Sequence, residues 1–221
     1  MKILAILSAA LYASSAVAFS VILDTGHTEK HYGAVSPFNK TEFSYNQAMV
    51  TTLQRHILAR KLDVELVPNT QPDLTLQQRT LYGNKTDLFV SIHHDSFPPE
   101  LNAQRENLSG FSIFVSQKNP NYPQSLNCAR AVATRLIQAG ERRSRYHESD
   151  IEGERKTLLD ERGVYRYDEL AVLKNARSPA ILIEIGVIAN PSEAKRLERT
   201  AVKGQIAKAI SLGIADCVKT H

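Results

Sequence analysis

Apolar residues along this chain gather in short runs, and the spacing within and between the runs separates strands from helices. Residues 19–23 (FSVIL), 63–67 (DVELV), 88–92 (LFVSI), 111–115 (FSIFV), 170–173 (LAVL) and 180–184 (AILIE) are brief and β-rich, so each predicts a strand. Between the first two, Tyr45, Met49, Leu53 and Ile57 recur every four positions, which predicts an amphipathic helix from 42 to about 58. Further helices are expected over 74–82, with Asp73 or Thr75 as cap, and over 125–139. Asn190 as N-cap, Pro191 in the first turn and Glu193 closing a capping box open another, and a last helix covers about 202–218. This alternation predicts a single α/β domain with a mixed or largely parallel central sheet covered by helices. Residues 140–162 break the pattern: dense in charge and poor in apolar positions, they read as a surface insertion.

The start of the chain changes the compartment expected for this domain. Lys2, an apolar stretch over residues 3–12 and Ala16-Val17-Ala18 have the form of a secretory signal, so residues 1–18 are expected to be cleaved. The apolar stretch is too short for a mature spanning helix. The mature chain, 19–221, is therefore expected to be exported without stable membrane insertion, to the periplasm or, alternatively, outside the cell. It is long enough for one well-buried domain, and a monomer is expected. A formal net charge of +4 is mild and forms no basic stripe, which argues against nucleic acid but suits an anionic substrate. Cys128 and Cys217, the two cysteines, both fall in predicted helices, where small buried cysteines are common. Export permits a disulfide between them, and the sequence leaves that pairing open.

In open α/β sheets, sites form beyond the carboxyl ends of strands. The first strand runs into Asp24-Thr25-Gly26-His27, the third into His93-His94-Asp95, and the strand after Pro179 ends at Glu184. Glu42 opens the helix after the first long loop. Two imidazoles and two carboxylates from four segments could thus meet at one sheet edge. Histidine nitrogen and carboxylate oxygen are zinc donors, and catalytic zinc takes three protein ligands with one position open. His27, Glu42 and His93 would be the ligands of one Zn²⁺, and Glu184 a general base. Each has a plainer reading alone: a histidine after a strand caps or is solvated, and Glu42 suits a helix first turn. Glu184 is harder to dismiss, because a carboxylate after Ile181-Leu182-Ile183 is costly to bury without a partner.

At these residues the chain resembles the zinc-dependent N-acetylmuramoyl-L-alanine amidases of the amidase_3 type. The match is carried by Val21 to His27 with Gly33-Ala34, by Thr41-Glu42 with Asn46, and by Val90 to His93. It continues through Arg162-Gly163-Val164, Ala171 to Lys174, Ser178 to Gly186, and Asn190 to Glu193. The resemblance implies a six-stranded mixed sheet flanked by helices, one Zn²⁺ on His27, Glu42 and His93, Glu184 as the catalytic carboxylate, and peptidoglycan as substrate. The bond implied is the amide joining the lactyl group of N-acetylmuramic acid to L-alanine. Departures are Thr28 in place of a glycine, His94-Asp95 in place of Ala-Asn, and Ile185 and Val187 in place of Thr and Phe. Residues His93 and His94 point to opposite sides of an extended chain, so one ligand is expected there, and the match favours His93; His94 could touch substrate or support a ligand. His31 is expected to be solvated. The 140–162 segment, with His147, Glu148, Asp150, Glu152 and Glu154, is either a solvated charged loop or a loop over the cleft. Some relatives block their zinc with an inserted helix near 116–125; here that stretch is short and holds Pro120 and Pro123, so activity without an activator is expected. Alternatives are a zinc peptidase acting on the stem peptide and a non-catalytic wall-binding module of the same fold.

Overall fold

The computed structural model describes residues 19–68, 74–148 and 156–218. The signal segment 1–18 and the acidic residues Asp150, Glu152 and Glu154 lie outside the described residues. Seven strands form one sheet: β1 (Ser20–Thr25), β2 (Asp63–Leu66), β3 (Leu88–Asp95), β4 (Ser112–Val115), β5 (Thr157–Asp160), β6 (Val164–Arg166) and β7 (Ala180–Val187), in the order β2-β1-β3-β7-β4-β6-β5. Neighbours β2, β1, β3 and β7 are parallel; β4 runs antiparallel to β7, and β5 antiparallel to β6.

Strand residues alternate strictly between two cores, as the period-two pleat requires. Val21, Leu23, Val90, Ile92, Ile113, Ile181 and Ile183 pack into one cluster with helices α1 (Glu42–Leu58), α3 (Tyr122–Gln138), α5 (Pro191–Glu198) and α6 (Thr200–Val218). Ile22, Phe89, Phe114, Tyr165, Ala180 and Leu182 face the other cluster. Helix α4 (Ala171–Lys174) packs on that side, and α2 (Leu76–Tyr82) lies against α4. Burial on both faces explains why the central strands read as unbroken apolar runs.

Two sequence expectations are corrected. The sheet has seven strands rather than six, because the β5–β6 hairpin extends it. Its turn is built by Gly163 at φ +88° and by Asp160, whose carboxylate accepts from the Arg162 backbone at 3.0 Å and from its guanidinium. The run 170–173, expected as a strand, is the short helix α4, with Leu173 and Lys174 N–H groups bonded to the Leu170 carbonyl. Four apolar residues carry too little periodicity to separate the two states.

The open question about cysteines is answered. Cys128 on α3 and Cys217 on α6 form a disulfide with Cα atoms 4.9 Å apart. These helices pack closely: a Cβ on Gly213 would come within 2.4 Å of the Val132 Cα. On the first strand, Asp24 is fully buried and accepts from Arg79 Nε at 2.8 Å and from Ser91 Oγ at 2.6 Å.

Two stability predictions follow from these cross-links. Arg79→Met leaves a buried carboxylate unpaired and should cost about 3–5 kcal/mol in urea unfolding; a loss below about 1 kcal/mol would show the pair to be dispensable. Replacing both cysteines by serine should cost about 2–4 kcal/mol, read as a lowered urea midpoint, with dithiothreitol producing the same shift in the native protein.

Candidate active site

Parallel β1, β3 and β7 end on the same edge of the sheet, and the expected polar residues collect there. The chain leaves β1 through Gly26, whose N–H bonds the Ile92 carbonyl at 2.9 Å, and turns at His27, which holds φ at +71°. A non-glycine residue in this region is uncommon and marks a constrained position. The loop then returns to α1, where Thr41 caps the helix and the Glu42 N–H bonds the Ala34 carbonyl at 2.7 Å.

Three of the predicted residues converge. His27 Nε2 lies 3.0 Å and His93 Nδ1 2.9 Å from the same oxygen, Glu42 Oε1, and one donor atom from each residue falls within 4.8 Å of the others. Glu42 is buried, and its second oxygen accepts the Ala34 N–H at 3.1 Å. Burial pushes its pKa up, but the hydrogen bonds with His27 and His93, with their charge, outweigh it and hold the carboxyl well below the usual carboxylate range. Two glycines make room: a Cβ on Gly26 would strike the His93 ring at 2.4 Å, and one on Gly33 would strike Glu42 Oε2 at 2.4 Å. Two imidazole nitrogens and a carboxylate aimed at one point fit a divalent metal ion such as zinc.

His94 is not part of the trio. Buried on the α1 side, its Nδ1 lies 2.7 Å from Asn46 Oδ1, while Asn46 Nδ2 donates to the Gly26 carbonyl at 2.9 Å. Burial lowers its pKa to about 3, so it is neutral, and it props the turn that carries His27. His31 is exposed, as expected.

Glu184 stands beside the trio. On β7 it pairs across the sheet with His93 on one side and Ser112 on the other. Its Oε2 is buried with no hydrogen-bond partner among the described residues, and the same is true of Ser112 Oγ. Burial, then the negative charges of Asp95 and Glu42, raise the Glu184 pKa well above its ordinary value, against a smaller opposing effect of Lys156. One carboxylate in the cleft is thus held as an anion and its neighbour is held ready to carry a proton. Such divergent environments are a mark of acid–base sites.

The sequence left the 140–162 segment open between a solvated loop and a loop over the cleft, without pairing His147 with Asp95. Asp95 Oδ2 lies 2.6 Å from His147 Nε2, and His147 Nδ1 lies 2.7 Å from Lys156 Nζ. Tyr146 and His147 are buried rather than solvated, so the charged 140–162 segment is partly core. The adjacent aromatic pair inside a polar stretch was the available signal.

Comparison with known proteins agrees with this geometry. The Amidase_3 family model, described as N-acetylmuramoyl-L-alanine amidase, matches residues 21–216. A probable cell wall amidase of Staphylococcus aureus, LytH, is 25% identical over 205 residues, which are 91% of this chain but only 58% of that relative's length. Among solved structures, the amidase Ami1 of Mycobacterium smegmatis superposes with a TM-score of 0.75 at 19% identity, covering 92% of this chain and 98% of that one. The catalytic domain of CwlV, from Bacillus (Paenibacillus) polymyxa var. colistinus, gives 0.71 at 25% identity over 92% and 99%. The matched span takes in His27, Glu42, His93 and Glu184, and the chain belongs to the Amidase_3 family of N-acetylmuramoyl-L-alanine amidases.

Proposed function

We propose that this protein is a zinc-dependent amidase of peptidoglycan, hydrolysing the bond between the lactyl group of N-acetylmuramic acid and L-alanine of the stem peptide. The observation that carries this reading is the juxtaposition of a metal-fitting trio with Glu184, whose Oε2 is buried and has no hydrogen-bond partner among the described residues. A binding module would gain nothing from burying an unpaired carboxylate next to a second acid, since each such group costs stability. Membership of an amidase family supports the choice of bond.

His27, Glu42 and His93 would hold the ion, with Asn46 and the Ala34 N–H keeping Glu42 in place. When bound, zinc supplies Lewis-acid chemistry that acidifies water and polarises a carbonyl. Glu184 takes the proton of the attacking water and returns it to the departing alanine nitrogen. Its raised proton affinity suits both halves of that task. The disulfide between Cys128 and Cys217 supports export to an oxidising compartment, the periplasm in our reading. No helix among the described residues is long and apolar enough to cross a membrane.

Digestion of purified peptidoglycan by the zinc-loaded protein should release stem peptides that begin with L-alanine, identified by mass; cut glycan strands or split peptides would overturn the assignment. Glu184→Gln should lower kcat by about 10²–10⁴-fold while one zinc per chain is retained. His27→Ala should instead lose both zinc and turnover. Full activity in Glu184→Gln would remove that residue from the mechanism.

A further inference from the structure

One face of β3 carries Leu88, Val90 and Ile92 into the apolar core, and His94 follows them on that face. The residue is 2% exposed, and its ring lies beside that of Tyr45 on α1, with centroids 5.4 Å apart. Leucine would fill such a place without the cost of burying an imidazole. What the imidazole adds is a donor aimed at one atom. An amide oxygen can only accept, so His94 Nδ1, 2.7 Å from Asn46 Oδ1, carries the proton of that contact. Asn46 is itself fully buried. With its oxygen engaged by His94, its Nδ2 is turned to the Gly26 carbonyl at 2.9 Å and to Glu42 Oε1 at 3.5 Å. Rotated by half a turn, the same amide would set its oxygen against a carbonyl and a carboxylate. His94 thus selects the one orientation in which Asn46 attracts both.

Those two contacts are the supports of the metal-fitting trio. Gly26 leads into His27, whose φ of +71° makes the turn a constrained one. Glu42 is the oxygen ligand, and the His94 backbone N–H also reaches its Oε1, at 3.3 Å. One buried imidazole therefore acts on two of the three candidate ligands and adjoins the third, His93, in the chain. We propose that His94, acting through Asn46, is a positioning residue that sets the zinc affinity of the His27–Glu42–His93 trio. The inference rests on that trio as a zinc site and is independent of which bond is cut.

The test strips the full chain of metal and measures zinc dissociation constants by competition with a chromophoric chelator, together with zinc per chain and urea unfolding. His94→Leu keeps the volume and loses the donor, whereas His94→Asn keeps a donor near the Nδ1 position and loses volume. His94→Leu should bind zinc about 10- to 100-fold more weakly, the scale for loss of a group that orients a ligand, and His94→Asn should recover most of the affinity. A packing role gives the reverse order. In an Asn46→Ala background, His94→Leu should cause no further loss, because it acts through that amide. Native affinity in a folded His94→Leu, weaker binding by His94→Asn than by His94→Leu, or losses that multiply in the double variant overturn the proposal. Should His94→Leu fail to fold, His94→Met, whose side chain adapts to irregular space, carries the same comparison. A native protein that binds zinc but leaves peptidoglycan uncut overturns the amidase reading alone; one that binds no zinc overturns both.

Discussion

The parallel pairing of β1, β3 and β7 governs everything else in this molecule. Parallel strands present their carboxyl ends at one edge, and the register that places Val21 against Leu88 and His93 against Glu184 delivers His27, His93 and Glu184 to that edge together. A slip of one residue in β7 would send Glu184 to the opposite face. The register is held by the two cores: Ile181 and Ile183 belong to one, Ala180 and Leu182 to the other, so any slip would exchange the side chains packed on the two faces.

That edge concentrates groups whose burial is expensive, and the surroundings meet the cost unevenly. Glu42 has both oxygens engaged, by two imidazoles and backbone N–H groups, and is stabilised as an anion. Glu184, across from His93, has a buried oxygen with no partner among the described residues and is stabilised as an acid. The difference comes from what each carboxyl faces, since both are glutamates at the same edge. Glycine at 26 and 33 is part of the same economy of space, because any side chain at either place would displace an imidazole or the Glu42 carboxylate.

The charged stretch before β6 shows how burial can be hidden in composition. Glu141 is buried because Arg196 donates to both of its oxygens, at 3.0 and 2.8 Å, and His147 is buried among Tyr146, Phe114 and Tyr165 with Lys156 Nζ 2.7 Å from its Nδ1. Each partner comes from a distant or separate element, so a count of apolar residues along the segment cannot reveal the pairing. The sheet gains β5 in the same way: Leu158 and Leu159 have cores to join only once β6 is in place beside β4.

The sequence by itself determined the α/β layering, the five central and edge strands that read as apolar runs, the four main helices, and the gathering of His27, Glu42, His93 and Glu184 at one edge of the sheet. These were legible because strand and helix periods are local, and because polar residues placed at the ends of apolar runs can go only to the sheet edge. Tertiary structure decided strands β5 and β6, the helical state of 171–174, the Cys128–Cys217 bond, and the meeting of Asp95, His147 and Lys156. The disulfide joins residues 89 positions apart, and Asp95 meets His147 from an element on the far side of β7. Whether such groups meet depends on how helices and strands pack at long range, and no local period in the chain carries that information.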